Sequence, residues 1–206
     1  MVIALIALPS TALAVVEDDC PDPTGHESEI VGGEVLIKLT DFPGSAAKQG
    51  CVLGFIPAQP SAVMAILRRA GDYAEYMPRV AKSEVTKGSD GEVLNSQVLD
   101  LPWPVGDRHF TVRLVEERSE DGSYWFKFYY VKGSGNVLDT RGHWLIEPWQ
   151  GGSRVTYLLW SDPGGAIPKW ALNRVSRRTL PEVVVALRDR VRGAAPIGAS
   201  AENAGS

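Results

Sequence analysis

The stretch from Ile167 to Arg192 reads IPKWALNRVSRRTLPEVVVALRDRVR. In it Trp170, Val175, Leu180, Val183, Val184, Leu187 and Val191 fall mostly three or four positions apart. That period gathers apolar side chains on one face of an α-helix, so a long amphipathic helix is expected here. Pro181 is expected to kink it, because proline lacks the N–H that would bond back one turn. A helix of this kind needs an apolar surface to cover, and the residues before it supply one.

Working back towards the N-terminus, Val155 to Trp160 is apolar on both faces, and Trp144 and Ile146 alternate after Gly142. Tyr124, Phe126, Phe128 and Tyr130 alternate with Trp125, Lys127 and Tyr129, and Phe110, Val112 and Leu114 alternate with Thr111 and Arg113. This two-residue period is that of strands with one apolar face. Turn signals separate them at Lys87 to Gly91, Pro102 to Gly106, Asp121-Gly122, Gly133 to Asn136 and Gln150 to Ser153. The pattern predicts an antiparallel meander of about five strands. Further upstream, Val35 to Leu39 and Gln49 to Ile56 read as a strand hairpin. A proline-opened helix over Ser61 to Arg69 follows, then a short helical turn from Tyr73 to Met77. Strand pair, short helices, meander and long terminal helix make an α+β chain whose sheet has one available cover.

The first segment, Met1 to Val16, reads MVIALIALPSTALAVV, and Ala12-Leu13-Ala14 has the small-x-small form of a signal-peptidase site. A signal peptide over residues 1–14 is expected, with export, most simply to a periplasm. The stretch is shorter than the ~20 apolar residues of a membrane span, and the acidic Glu17-Asp18-Asp19 follows it. A buried helix or an uncleaved anchor are the alternatives. Export would let Cys20 and Cys51 form a disulfide. Cys51 also sits in an apolar run where a free buried thiol is common, so both states stay open.

The chain has 206 residues, 44% of them hydrophobic, and a net charge of −4. These proportions exclude a collagen-like or largely disordered chain and allow one sizeable core. Net acidity without a Lys/Arg-rich run argues against a nucleic-acid partner. No nucleotide-loop, hydrolase-elbow or zinc-protease motif is present, so no cofactor and no metal are expected. His143 and Glu147 share a strand face, but two groups fall short of the three protein ligands of a catalytic zinc.

Four motifs occur in order: Asp72-Tyr73-Ala74-Glu75-Tyr76-Met77-Pro78-Arg79-Val80; Gly106-Asp107-Arg108-His109-Phe110; Gly142-x-Trp144-x-Ile146-x-Pro148; and Thr156-Tyr157 continuing to Asp162-Pro163-Gly164-Gly165-x-x-Pro168-Lys169-Trp170. Together they resemble the StAR-related lipid-transfer (START) domain of the Bet v 1-like helix-grip superfamily, over about Gly33 to Arg192. The resemblance implies a curved antiparallel sheet wrapped around the C-terminal helix, enclosing an apolar tunnel for a lipid. It implies a carrier rather than an enzyme, although the superfamily also holds polyketide cyclases. The expected domain is residues 33–192, with residues 193–206 a small, polar, disordered tail.

On this resemblance the rings Trp103, Phe110, Phe126, Phe128, Tyr130, Trp144 and Tyr157 are candidates for the tunnel wall, although a packed core has the same signature. Trp170, Val183, Val184 and Leu187 are expected to roof the tunnel from the helix. Arg108, beside Asp107, is either a structural ion pair or a group that orients a lipid head. The helix also carries Lys169, Arg174, Arg177, Arg178, Arg188, Arg190 and Arg192 against only Glu182 and Asp189. That excess suits either transient contact with an anionic membrane or a merely solvated face. The rival readings are a cyclase or hydrolase using His109 or His143 as base, and an interaction module with a filled tunnel.

Overall fold

The computed structural model of the chain describes residues 19–194. The leader expected at residues 1–14 lies outside them, as does the tail at 193–206 apart from Gly193 and Ala194, which belong to the last turn of a helix.

The elements run α1 (Glu27–Val31), β1 (Leu36–Asp41), β2 (Lys48–Ile56), α2 (Pro60–Leu67) and α3 (Tyr73–Tyr76). Then follow β3 (Val80–Lys87), β4 (Val93–Leu99), β5 (Arg108–Arg118), β6 (Tyr124–Tyr130), β7 (Asp139–Trp149), β8 (Gly152–Asp162) and α4 (Lys169–Ala194). The eight strands form one curved antiparallel sheet in the order β1-β2-β8-β7-β6-β5-β4-β3. This is the helix-grip arrangement. The meander has six strands rather than about five, because β3 is an edge strand whose side chains are mostly exposed and show no apolar alternation.

Local chemistry fixes the turns. Pro60 opens α2, where its missing N–H has no partner to lose. The β7–β8 hairpin turns on Gln150 and Gly151, with φ of 49° and 74°. Positive φ at both central residues is what a two-residue turn needs to follow the strand twist.

The two faces of the sheet are covered differently. On one, Ile30 of α1 packs with Leu53, Phe55, Leu36 and Trp149. The segment leading into α1 is tied down there by a Cys20–Cys51 disulfide, and Asp19 accepts hydrogen bonds from Lys38 Nζ and, at 2.7 Å, from Thr40 Oγ1. On the other, α2, α3 and α4 enclose the main core, which includes Val52, Ile56, Met64, Trp144, Leu180 and Val184. Arg188 in α4 is buried and ties the two sides together: its Nε donates to Phe55 O at 2.7 Å and its Nη1 to Gly33 O at 2.9 Å.

Two glycines set how closely α4 approaches the sheet. Gly50 and Gly54 lie four apart on β2 and face α4: Leu180 fills the space a Cβ on Gly50 would need, and a Val184 methyl lies 2.8 Å from where a Cβ on Gly54 would stand. Glycine in a strand commonly marks such close approach. Pro181 lies inside α4 between the two contacts.

Candidate functional site

A cavity of about 230 Å³ lies between the sheet and the first half of α4. Its floor is built from in-facing positions of neighbouring strands: Phe110, Val112 and Leu114 on β5, Phe126 and Phe128 on β6, and Trp144 on β7. Alternation along each strand places these on one face, and cross-strand pairing sets them side by side: Phe126 is opposite Trp144, and Leu114 opposite Phe128. Tyr157 of β8 stacks on Trp144 with ring centroids 4.3 Å apart. Burial pushes the Tyr157 phenol well above its ordinary range, so it stays neutral. Tyr73 and Met77 close one flank, with the Tyr73 hydroxyl donating to Leu67 O at 2.8 Å.

The roof comes from α4, through Leu172, Val175, Ser176, Thr179, Leu180 and Val183. These positions recur at helical spacing and form one stripe. The loops that follow β4, β6 and β8 contribute Val105, Val137 and Pro163 at one end of the cavity. That end is also where β2, β5 and β7 begin and β4, β6 and β8 finish, with Lys48, Arg108 and Thr140 at or near the starts. Arg108 Nη1 donates to Asp107 O at 2.8 Å. Its Nε is buried without a hydrogen-bond partner among the described residues.

Of the residues expected at the site, Arg108, Phe110, Phe126, Phe128, Trp144, Tyr157 and Val183 line the cavity. Five do not. Trp103 is 89% exposed, because it sits in the loop beyond the end of β4, where strand alternation no longer points side chains inward. Tyr130 ends β6 and its hydroxyl donates to Val137 O at 2.7 Å, which holds the ring away from the cavity. Trp170 is 61% exposed, since it lies two residues before Leu172 and therefore almost opposite the roof stripe. Val184 and Leu187 are completely buried in the core, Val184 filling the notch at Gly54, one turn beyond Leu180 and Gly50 at the edge of the cavity.

The other sequence candidates lie elsewhere. His109 is exposed. His143 stands edge-on to Trp125 at 4.7 Å, and these positions alternate with the floor residues Trp144 and Phe126 on the opposite face of the sheet. Glu147 is taken up by a two-point contact with Arg154, at 2.8 and 2.9 Å. Arg108 reaches Asp107 through its backbone carbonyl, so the expected ion pair gives way to a main-chain contact.

Sequence reasoning missed Leu172, Val175, Ser176 and Thr179. Their spacing carried the signal: Ser176 and Thr179 interrupt an apolar stripe that a dry core would have kept apolar throughout.

A protein-family model described as polyketide cyclase / dehydrase and lipid transport matches residues 56–188. The chain belongs to that family. A solved StAR-related lipid transfer protein from Xanthomonas axonopodis is 28% identical, covering 77% of this chain and 93% of its own, with a TM-score of 0.68. Human StAR-related lipid transfer protein 5 is 14% identical over 79% of this chain and 84% of its own, with a TM-score of 0.67. The Zhui aromatase/cyclase from Streptomyces sp. R1128 is 13% identical over 77% of this chain and 94% of its own, with a TM-score of 0.53. The last two share the fold alone. The START fold is common to carriers and to a cyclase, so the site must decide between them.

Proposed function

We propose that this chain is an exported, periplasmic carrier that binds a hydrophobic ligand in the cavity and passes it on. One observation carries the reading: the cavity is walled by aromatic and aliphatic side chains, while both candidate bases, His109 and His143, lie outside it. Removing apolar ligand surface from water supplies affinity at roughly 25 cal/mol per Å². The apolar leader with its Ala12-Leu13-Ala14 ending supports export, and the Cys20–Cys51 disulfide supports an oxidising compartment.

Transient contact with an anionic bilayer belongs to the same reading. Lys169, Arg174 and Arg177 in the first half of α4 are exposed beside the loop end of the cavity, and Arg178 faces Glu182 at 3.7 Å. In the second half Arg188 is buried, Arg190 bonds Glu75 at 2.6 Å and Arg192 faces Asp189 at 3.8 Å. The positive charge available to a membrane is therefore gathered next to the cavity, with Trp103, Leu138 and Trp170 exposed on the surrounding loops and first helical turn.

Native mass spectrometry of protein purified from its own host tests the carrier. A co-purifying hydrophobic molecule at one per chain is expected. An empty protein that cyclises an aromatic polyketide, and loses that activity when His109 and His143 are both changed to Gln, would replace the carrier with an enzyme.

A further inference from the structure

The charged residues that line the cavity are Lys48, Arg79 and Arg108, and no carboxylate is among the lining residues. In a chain with net charge −4, that selection is not what composition alone would give. Sheet register puts all three at the same end. Val80, the residue after Arg79, pairs with Leu99, which pairs with Arg108, while Lys48 begins β2 alongside the end of β8. Lys48 is neutralised by Asp41 at 2.7 Å. Neither Arg79 nor Arg108 has a carboxylate partner among the described residues. Arg108 Nε is buried and unpaired, which costs stability until an acceptor meets it. Arg79 holds a positive φ of 65°, a conformation unfavourable for a residue with a Cβ. It is fixed there by the Asp100 N–H, which donates to Arg79 O at 2.9 Å.

Away from these cations the cavity is mostly apolar, floored by Phe126, Trp144 and Tyr157, with the hydroxyls of Ser176 and Thr179 in its roof. Its volume of about 230 Å³ lies below the roughly 300–1,000 Å³ common for drug-sized ligands, which suits one chain better than two. We propose that the cavity selects a single-chain amphiphile with an anionic head, a carboxylate or a phosphate, with the head held by Arg108 and Arg79 and the chain reaching Trp144. A guanidinium meets either oxyanion with two parallel N–H donors. This rests on the carrier reading and adds the charge and size of the cargo to it.

The test is a titration of the delipidated full-length mature protein with decanoate, decyl phosphate and decan-1-ol, which share a ten-carbon chain and differ in head. At least one anion should bind ten times tighter than the alcohol, and the better anion identifies the head. Arg108→Gln should abolish the preference by weakening the anions at least ten times more than the alcohol. Arg79→Gln, at an exposed position, should reduce it and serves if the first variant does not fold. Equal binding of all three, or a preference that survives both substitutions, overturns the proposal and leaves the carrier standing. Binding of none of the three overturns the proposal as well, while the carrier reading stands or falls on the co-purifying molecule.

Discussion

Val184 of α4 lies against Gly54 of β2, with a methyl carbon 2.8 Å from where a Cβ on that glycine would stand. The helix is locked to the sheet here and by Leu180 over Gly50 one turn earlier, and from there back to Leu172 it stands over the cavity. Adjacent valines therefore meet different surroundings: Val183 lines the cavity and Val184 is completely buried in the core.

Enlarging the two valines should separate binding from stability. Val184→Trp is expected to lower the melting temperature of the ligand-free protein, because overpacking a filled core costs about 1–3 kcal/mol or more. Val183→Trp should leave the ligand-free melt within a few degrees while weakening ligand binding by more than tenfold. Calorimetric melts and a fluorescent-lipid titration read the two effects, and a reversed pattern would mean the cavity lies elsewhere along α4.

Arg188 should behave as a fastener. Arg188→Met leaves Phe55 O and Gly33 O without their donor, at a cost of about 2–4 kcal/mol. Amide hydrogen exchange over α1 should speed up in this variant, while ligand affinity stays within a factor of about three, since Arg188 does not line the cavity. Unchanged exchange over α1 would show that the disulfide alone holds that face.

Replacing Cys20 and Cys51 together by Ser should cost about 3–4 kcal/mol in chemical denaturation, the chain-entropy value for the 31-residue separation. Lipid binding should survive, because the disulfide sits on the face opposite the cavity.

The acid limb of stability should depend on Arg68. Its guanidinium grips Glu116 at two points, 2.5 and 2.8 Å, and these bonds hold the Glu116 carboxyl below its ordinary value. A depressed folded-state pKa contributes stability above the unfolded value and loses it as pH falls through the folded one. Both side chains are partly exposed, so the contribution is about 0.5 kcal/mol. Arg68→Gln should be less stable than the parent by that amount at pH 7, and the two denaturation curves should converge as the pH falls from about 5 to 3.

Most of the architecture was legible because β5, β6 and β7 carry a two-residue period, β8 is an apolar run of strand length and α4 has its own stripe. The edge strand β3 was the exception, since a strand with little buried surface leaves little pattern. The site was legible where strand alternation governs, as for Phe126 and Trp144. It failed at Trp103 and Trp170, where an aromatic ring lies beyond the regular element or off its stripe, and at Val184 and Leu187. For Val184 the decisive fact is a gap in another strand, at Gly54, more than a hundred residues away in sequence.

The position of Pro181 divides α4 into two regions open to sequence change at different rates. Leu172, Val175, Ser176 and Thr179 precede it and face the cavity; Val184, Leu187, Arg188 and Val191 follow it and are buried against the rest of the protein. Leu180 and Val183, on either side of the proline, belong to both the cavity lining and the core, whereas Leu172, Val175, Ser176 and Thr179 are outside that core. A substitution among these four therefore alters what fits and leaves the core contacts in place. The container can then be refitted for a new occupant by editing two turns of one helix. That is a short mutational path between ligands.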